Sequence, residues 1–197
     1  MKLTKLIIFS AIIMIAGNIS AQKFKVTSGS LEGLKGVQQI KMVYDFSNLA
    51  VGDFKNEDDY IAKKMAEKEK DKPGTGQAWK DKWFSDREKQ FEPKFEELLS
   101  KLLETVKVGK DVESDVVMNV HCTFIEPGFN VGVMRKPAAC DFTVTITKGG
   151  SELAVVTMLK SPGADAMGYD FDSAYRIQES FAKAGKTLGS QIKKATK

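Results

Sequence analysis

Three patterns in the chain predict an α+β fold, a two-layer sandwich with a mostly antiparallel sheet of about five strands and helices packed on one face. The stretch from Ser114 to Lys148 alternates apolar and polar residues on both sides of a loop, which marks a central hairpin. From Trp79 to Val106, apolar residues recur at three- and four-residue steps, the period of an amphipathic helix. The periods together give the element order β-β-α-α-β-β-β-α, in which strands and helices segregate as a sheet with one covering layer requires.

In chain order, Lys23 to Thr27 sets Phe24 and Val26 against lysines and stops at Ser28-Gly29-Ser30, which predicts a short edge strand. Val37 to Phe46 places Ile40, Met42, Tyr44 and Phe46 on one side, a strand with one buried face. At Asn56 the period changes. Asn56, Glu57, Asp58 and Asp59 supply a cap and first-turn acids for a helix carrying Tyr60, Ile61, Lys64 and Met65 on one stripe. Lys72-Pro73-Gly74 ends it, because the residue before proline is pushed out of α geometry. Thr75 or Gly76 opens the long aromatic helix, which is expected to kink near Glu92, ahead of Pro93, and to end at Gly109. Ser85 and Glu88 also have capping-box spacing.

In the central hairpin, alternation puts Val116, Met118, Val120, Cys122 and Phe124 on one face of the first strand. Cys140, Phe142, Val144 and Ile146 share that face on the second. Lys148-Gly149-Gly150-Ser151 is a tight-turn composition leading into a strand over Glu152 to Lys160, whose apolar residues alternate poorly and so predict cover on both faces. After a loop, Asp172 or Ser173 caps a final helix with Ile177, Phe181, Ala184, Leu188 and Ile192 on one stripe. Gly185 and Gly189 interrupt it, and close approach to the sheet is the expected reason. The expected core sets Met42, Tyr44, Cys122, Phe124, Phe142 and Val144 against the two aromatic helices.

Residues 1 to 21 carry Lys2 and Lys5, an apolar run from Leu6 to Ile15 and a small-residue end at Ser20-Ala21, the pattern of a secretory signal peptide. The run is about ten residues, short of the roughly 20 a membrane span needs. No cysteine follows it to take a lipid. The expected mature chain is one α+β domain from Gln22 to Lys197, periplasmic or secreted, with no membrane-spanning segment. Without Lys2 and Lys5, 28 basic residues face 26 acidic ones, a net charge of +2, so nothing in the charge calls for nucleic acid.

Candidate chemistry is sparse. Cys122 and Cys140 are equidistant from a loop centred near residue 131, which sets them opposite each other. Export makes a disulfide feasible, and two buried free thiols are the alternative; a CxxC redox spacing is missing. His121, the only histidine, faces away from both cysteines and reads as structural. One histidine without HExxH leaves no histidine-rich zinc site. Glu57, Asp58 and Asp59 lack EF-hand spacing and read as capping acids; Gly74-Thr75-Gly76 is neither a P-loop nor a dinucleotide fingerprint. The residues imply no cofactor, metal or catalytic set.

Two loops stand out. Glu126 to Pro137 places Phe129, Val131, Val133 and Met134 at a hairpin tip, followed by Arg135 and Lys136. Apolar residues at a tip fold back on the protein, dock a partner or touch a membrane surface. Tyr169-Asp170-Phe171-Asp172 offers Tyr169 and Phe171 beside carboxylates. Trp79 and Trp83 suggest a sugar-stacking platform, but their phase with Phe91 and Leu98 reads as core packing; Phe84 lies off that stripe and is expected to be exposed.

Through KFKVTSGSLEGLKG, VYDFSNLAVG, GQAWKDKWFSDREKQFEPKFEELL, TFIEPGFNVGV and GYDFDSAYRIQESFAKAGKTLG, nearly the whole mature chain resembles a family of uncharacterised signal-peptide-bearing proteins of Bacteroidota. The element order is also similar, at the level of fold alone, to the amino-terminal domain of TolB and to penicillin-binding-protein activators, a likeness that transfers no functional residue. The expected function is non-enzymatic binding of an envelope protein or glycan through residues 129 to 136, with Tyr169 and Phe171. A carrier with an apolar cavity between the sheet and the Trp79/Trp83 helix is the alternative. A hydrolase working through paired carboxylates is third.

Overall fold

A computed structural model describes residues 22–164 and 173–197. The expected signal peptide, the Asp172 cap, Tyr169 and Phe171 lie outside the described residues. The fold is a two-layer α+β sandwich with a mostly antiparallel sheet and its helices on one side. Nine strands are described: β1 (Lys23–Gly29), β2 (Gln39–Asp45), β3 (Ala50–Val51), β4 (Lys107–Gly109), β5 (Val116–Glu126), β6 (Phe129–Asn130), β7 (Arg135–Lys136), β8 (Ala139–Lys148) and β9 (Ser151–Pro162). Helices are α1 (Glu57–Asp71), α2 (Gly76–Asp86), α3 (Glu92–Leu103) and α4 (Ser173–Ala195). The main sheet runs β1-β9-β8-β5-β2-β4, with β3 also pairing β5.

The long ladders, β1 with β9, β9 with β8 and β8 with β5, are antiparallel. β2, β3 and β4 add in parallel beside β5 or β2. The β8–β9 turn uses Gly149 and Gly150 at φ 57° and 81°, which matches the two-residue turn of a right-twisted hairpin. Strands β3 and β4 carry two and three residues, too few for a period to declare itself. Gly109, expected to end the long helix, therefore lies in β4, six residues past the end of α3.

The long helix is continuous from Gly76 to Leu103 but not uniform. Between α2 and α3, residues Arg87–Phe91 form a π turn, and the Glu92 amide donates to Arg87 O, five residues back. Pro93 explains its place. With no N–H, proline cannot bond the carbonyl of Lys89, and widening the turn just ahead of it relieves the ring's clash. The stripe thus passes through Pro93 in phase, as expected, without the capping box: Ser85 Oγ donates instead to Lys82 O at 3.1 Å.

Two expectations about packing are corrected. The sheet is covered mainly by α3 and α4, while Trp79 and Trp83 face α1. Trp83 is buried against Tyr60, with ring centroids 5.2 Å apart, and Trp79 stacks on Trp83 at 5.7 Å. Second, Phe124 is not a core residue. A bulge between Cys122 and Phe124 inserts one residue into β5, so that Phe124 pairs with Asp141 and the next residue, Ile125, takes the buried place at 1% exposure.

The far face of the sheet has no helix over it among the described residues. On β9, Ala154, Val156 and Met158 are buried beneath the helices, whereas Leu159 is 41% exposed, so the broken alternation there does not mean cover on both faces. Gly185 and Gly189 of α4 do mark close approach, but to α3 rather than to the sheet. A Cβ on Gly185 would lie 2.2 Å from Phe95 O, and one on Gly189 2.8 Å from Leu102 Cβ.

Candidate functional site

Because β2, β3 and β5 run in parallel, their carboxyl ends meet at one end of the sheet, where the β5–β8 hairpin also turns. The α1–α2 pair and the first turn of α4 are packed around the same end. Here β6 and β7 form a small separate ladder that raises the loop. Its apex is open: Phe129 is 40% exposed, Val131 62%, Val133 94% and Met134 62%. The expected tip residues therefore stand clear of the core, with Arg135 and Lys136 also exposed.

The root of this hairpin is fixed by buried charge. Arg176 of α4, 5% exposed, donates from Nε to Pro127 O at 3.1 Å and from Nη2 to Gly128 O at 3.4 Å. Glu126, 8% exposed, accepts from the Gly128 amide at 3.0 Å and pairs with Lys136. Gly128 has φ 70°, and a Cβ there would meet Lys136 O at 2.6 Å, so only glycine serves.

Between this root and α1 lies an open cleft of about 220 Å³ lined by Tyr60, Lys64, Lys68, Trp79, Pro127, Gly128, Phe129, Asn130, Ser173 and Arg176. Its aromatic wall is held rigid from behind. The Trp83 indole N–H donates to Glu57 Oε1 at 2.6 Å, and Arg87 pairs with the same oxygen. Arg87 lies over the rings of Phe46 and Phe84, 4.3 and 4.8 Å from their centroids, while Phe84 keeps 37% exposure as expected. Burial raises the Tyr60 pKa, helped by the charge of Glu126, so its hydroxyl stays neutral. The tip residues were legible in the sequence; Tyr60, Lys64, Lys68 and Arg176 were not singled out, because only folding brings them to Phe129.

The other candidates occupy the sheet. Cys122 and Cys140 are fully buried free thiols on the helix-covered face. They are not directly opposite: Cys122 pairs with Phe142 and Cys140 with Ile125, because the hairpin is centred near residue 132, one later than expected. Burial, reinforced by Cys140, pushes the Cys122 thiol up, away from the thiolate. His121 faces the other way, and its Nε2 lies 2.8 Å from Ser47 O. Glu57 anchors Trp83, and the Asn56 side chain caps α1 through the Asp59 amide at 2.9 Å.

A cluster of acids spans α3 and the loop after β4. Lys110 Nζ lies 2.6 Å from Glu92 Oε2 and 3.8 Å from Glu88 Oε1, and the Tyr44 hydroxyl donates to Glu92 O at 3.3 Å. Glu96 Oε1 is buried with no hydrogen-bond partner among the described residues. Burial raises the Glu96 pKa, with the Glu92 and Asp111 charges adding to it. An acid that holds its proton more tightly when folded lowers stability as pH climbs from its unfolded pKa to its folded one. Urea midpoints of the native protein should therefore fall behind those of Glu96→Gln as the pH rises above the ordinary glutamate value of roughly 4.3. A gap that does not change with pH would contradict this.

Among the described residues, no three His, Cys, Asp or Glu side chains are grouped to hold a metal ion, and no helix is long and apolar enough to cross a membrane. No protein family, curated protein or solved structure matches the chain.

Proposed function

We propose that this is a non-enzymatic binding domain of the cell envelope, exported through its amino-terminal signal, that engages a protein or glycan partner with the hairpin tip and the adjoining strand-end cleft. The observation that carries this is the exposure of Val131, Val133 and Met134, at 62, 94 and 62%. Burying an apolar side chain contributes about 1.5–3 kcal/mol, and three presented together are the kind of patch that marks an interaction site. The carrier alternative has less support, since Trp83 is packed against Tyr60 and Trp79 where the apolar cavity was expected. Nor do the acids of the π turn and the start of α3 favour a hydrolase, because Glu88 and Glu92 are engaged by Lys110.

The double variant Phe129→Asp/Met134→Asp, used as bait against a native envelope extract, should keep its circular dichroism spectrum and lose the partners captured by the native protein. Capture unchanged by both aspartates would remove the basis of this reading.

A further inference from the structure

We infer that the open edge of the sheet at β1 binds an extended peptide segment of alternating acidic and apolar residues, taken up as an added strand. The site is a second one, apart from the hairpin tip, and does not depend on it. Three observations carry it: an unpaired edge, a groove beside that edge, and uncommitted positive charge.

β1 is the last strand of the main sheet and pairs only with β9, so the N–H and C=O groups on its other side meet no strand among the described residues. The regular edge is Lys23 to Val26; a bulge between Val26 and Ser28, followed by Gly29 at φ 66°, ends it. Phe24 and Val26 pair with Met158 and Val156, which are buried beneath the helices, so both point to the helix side. Val26 nonetheless keeps 36% exposure, because no strand flanks it on the outside. Beside it runs a groove of about 360 Å³, walled by Phe24 and Val26, by Leu31, and by Gln191, Lys194 and Ala195 of α4. Thr187 Oγ1 donates to Gln22 Oε1 at 2.9 Å and ties the start of β1 to the same helix. A strand edge facing a helix across a groove can take up a peptide strand, with main-chain bonds supplying affinity and alternate side chains specificity.

An added strand sends its side chains alternately to the two faces. Those on the helix side enter the groove against Phe24, Val26 and Leu31, which selects apolar residues. Those on the other side meet Lys23 and Lys25, which pair with Leu159 and Thr157 and so share the bare face. Lys23, Lys25 and, on the groove wall, Lys194 are exposed and make no side-chain hydrogen bond or ion pair to the described residues. Opposite charges directly across a ladder stabilise it and like charges oppose it, so the residues facing these lysines are acidic. The acids near β1 lie past the bulge: Glu32, which borders the groove, and Glu152, which accepts from Ser28 Oγ at 2.7 Å. The same lysines disfavour a second copy of the chain, since β1 against β1 in registers centred on Phe24 or Lys25 sets lysine opposite lysine. The added strand covers the edge alone; Val43 of β2 stands four strands away.

The test titrates the native protein with hexapeptides carrying fluorescein at the amino end and amidated at the other: Glu-Val-Glu-Val-Glu-Val, its counterpart Lys-Val-Lys-Val-Lys-Val, and the block order Glu-Glu-Glu-Val-Val-Val. The first should bind at least about tenfold more tightly than the others, and should slow amide hydrogen exchange across Lys23 to Val26, the mark of strand addition. Lys25→Glu, at an exposed position, should weaken it roughly three- to tenfold and Val26→Asp roughly tenfold. Lys107→Glu on β4, the opposite edge of the sheet, should leave it unchanged. No binding up to about 1 mM, equal binding of the lysine or block peptide, or binding without protection of β1 would overturn the inference. So would a native dimer in sedimentation equilibrium that Val26→Asp dissociates, because a second copy would then occupy the edge. Partner capture by the tip is read separately, so either site can fail without the other.

Discussion

Replacing Phe181 by alanine is expected to cost about 3–5 kcal/mol, the range for deleting a fully buried aromatic ring. Phe181 is wholly inaccessible and sits at the centre of the sandwich. It meets Phe142 of β8 edge-on at 4.8 Å, and stacks with Phe91 at 5.2 Å and Phe46 at 6.2 Å. One ring therefore joins the sheet, α4, the π turn and the segment after β2, and its removal leaves a hole bounded by elements that cannot all close in together. The melting temperature should fall by roughly 10 °C for a chain of this size. A loss below about 1 kcal/mol in urea unfolding would show that the aromatic core is not the joint between the layers.

Gly185→Ala should also destabilise, against the usual sign. In an exposed helix interior the change gains about 1 kcal/mol, because glycine loses more backbone freedom on folding. Here the new methyl carbon would lie 2.2 Å from Phe95 O and 3.0 Å from Phe95 C. Backbone atoms cannot rotate aside as a side chain would, so α3 and α4 must separate locally. The expected net loss is about 2–3 kcal/mol by chemical denaturation. A more stable Gly185→Ala would mean that the two helices do not pack as closely as the structure places them.

These two residues also show what the sequence could reveal. The spacing of Phe181 and its neighbours put it on a buried stripe, since a helix facing a core must repeat its apolar residues near every 3.6 positions. The same spacing said only that Gly185 needed a close neighbour. It could not say whether sheet or helix supplied one, because that depends on how two stripes pair. Strands β2, β5 and β8 were legible from alternation and β9 from its apolar run after a tight-turn composition, whereas Phe124 was misplaced because one bulged residue reverses every later assignment of faces on its strand. Strands β3 and β4 exist only because β5 and β2 hold them, so their own residues carry no pattern.

The candidate site divides in the same way. Its tip was visible locally, as apolar residues where turn residues are usual. Its cleft was not, because Tyr60, Lys68, Trp79, Phe129 and Arg176 come from four elements more than 100 positions apart at the extremes. Trp79 is the instructive case. Its period assigned it to the core together with Trp83, yet only Trp83 is buried, and Trp79 at the end of the stripe shares its ring between the core and the cleft.

The central claim is that function resides at the strand ends and not on the bare face of the sheet. Site-specific photocrosslinking against the extract used for partner capture tests it most directly, with a photoreactive residue in place of Val133 at the tip or of Val43, which is 40% exposed on the far sheet face. Crosslinked adducts from position 133 and none from position 43 are the predicted result. Adducts from position 43 alone would contradict the claim.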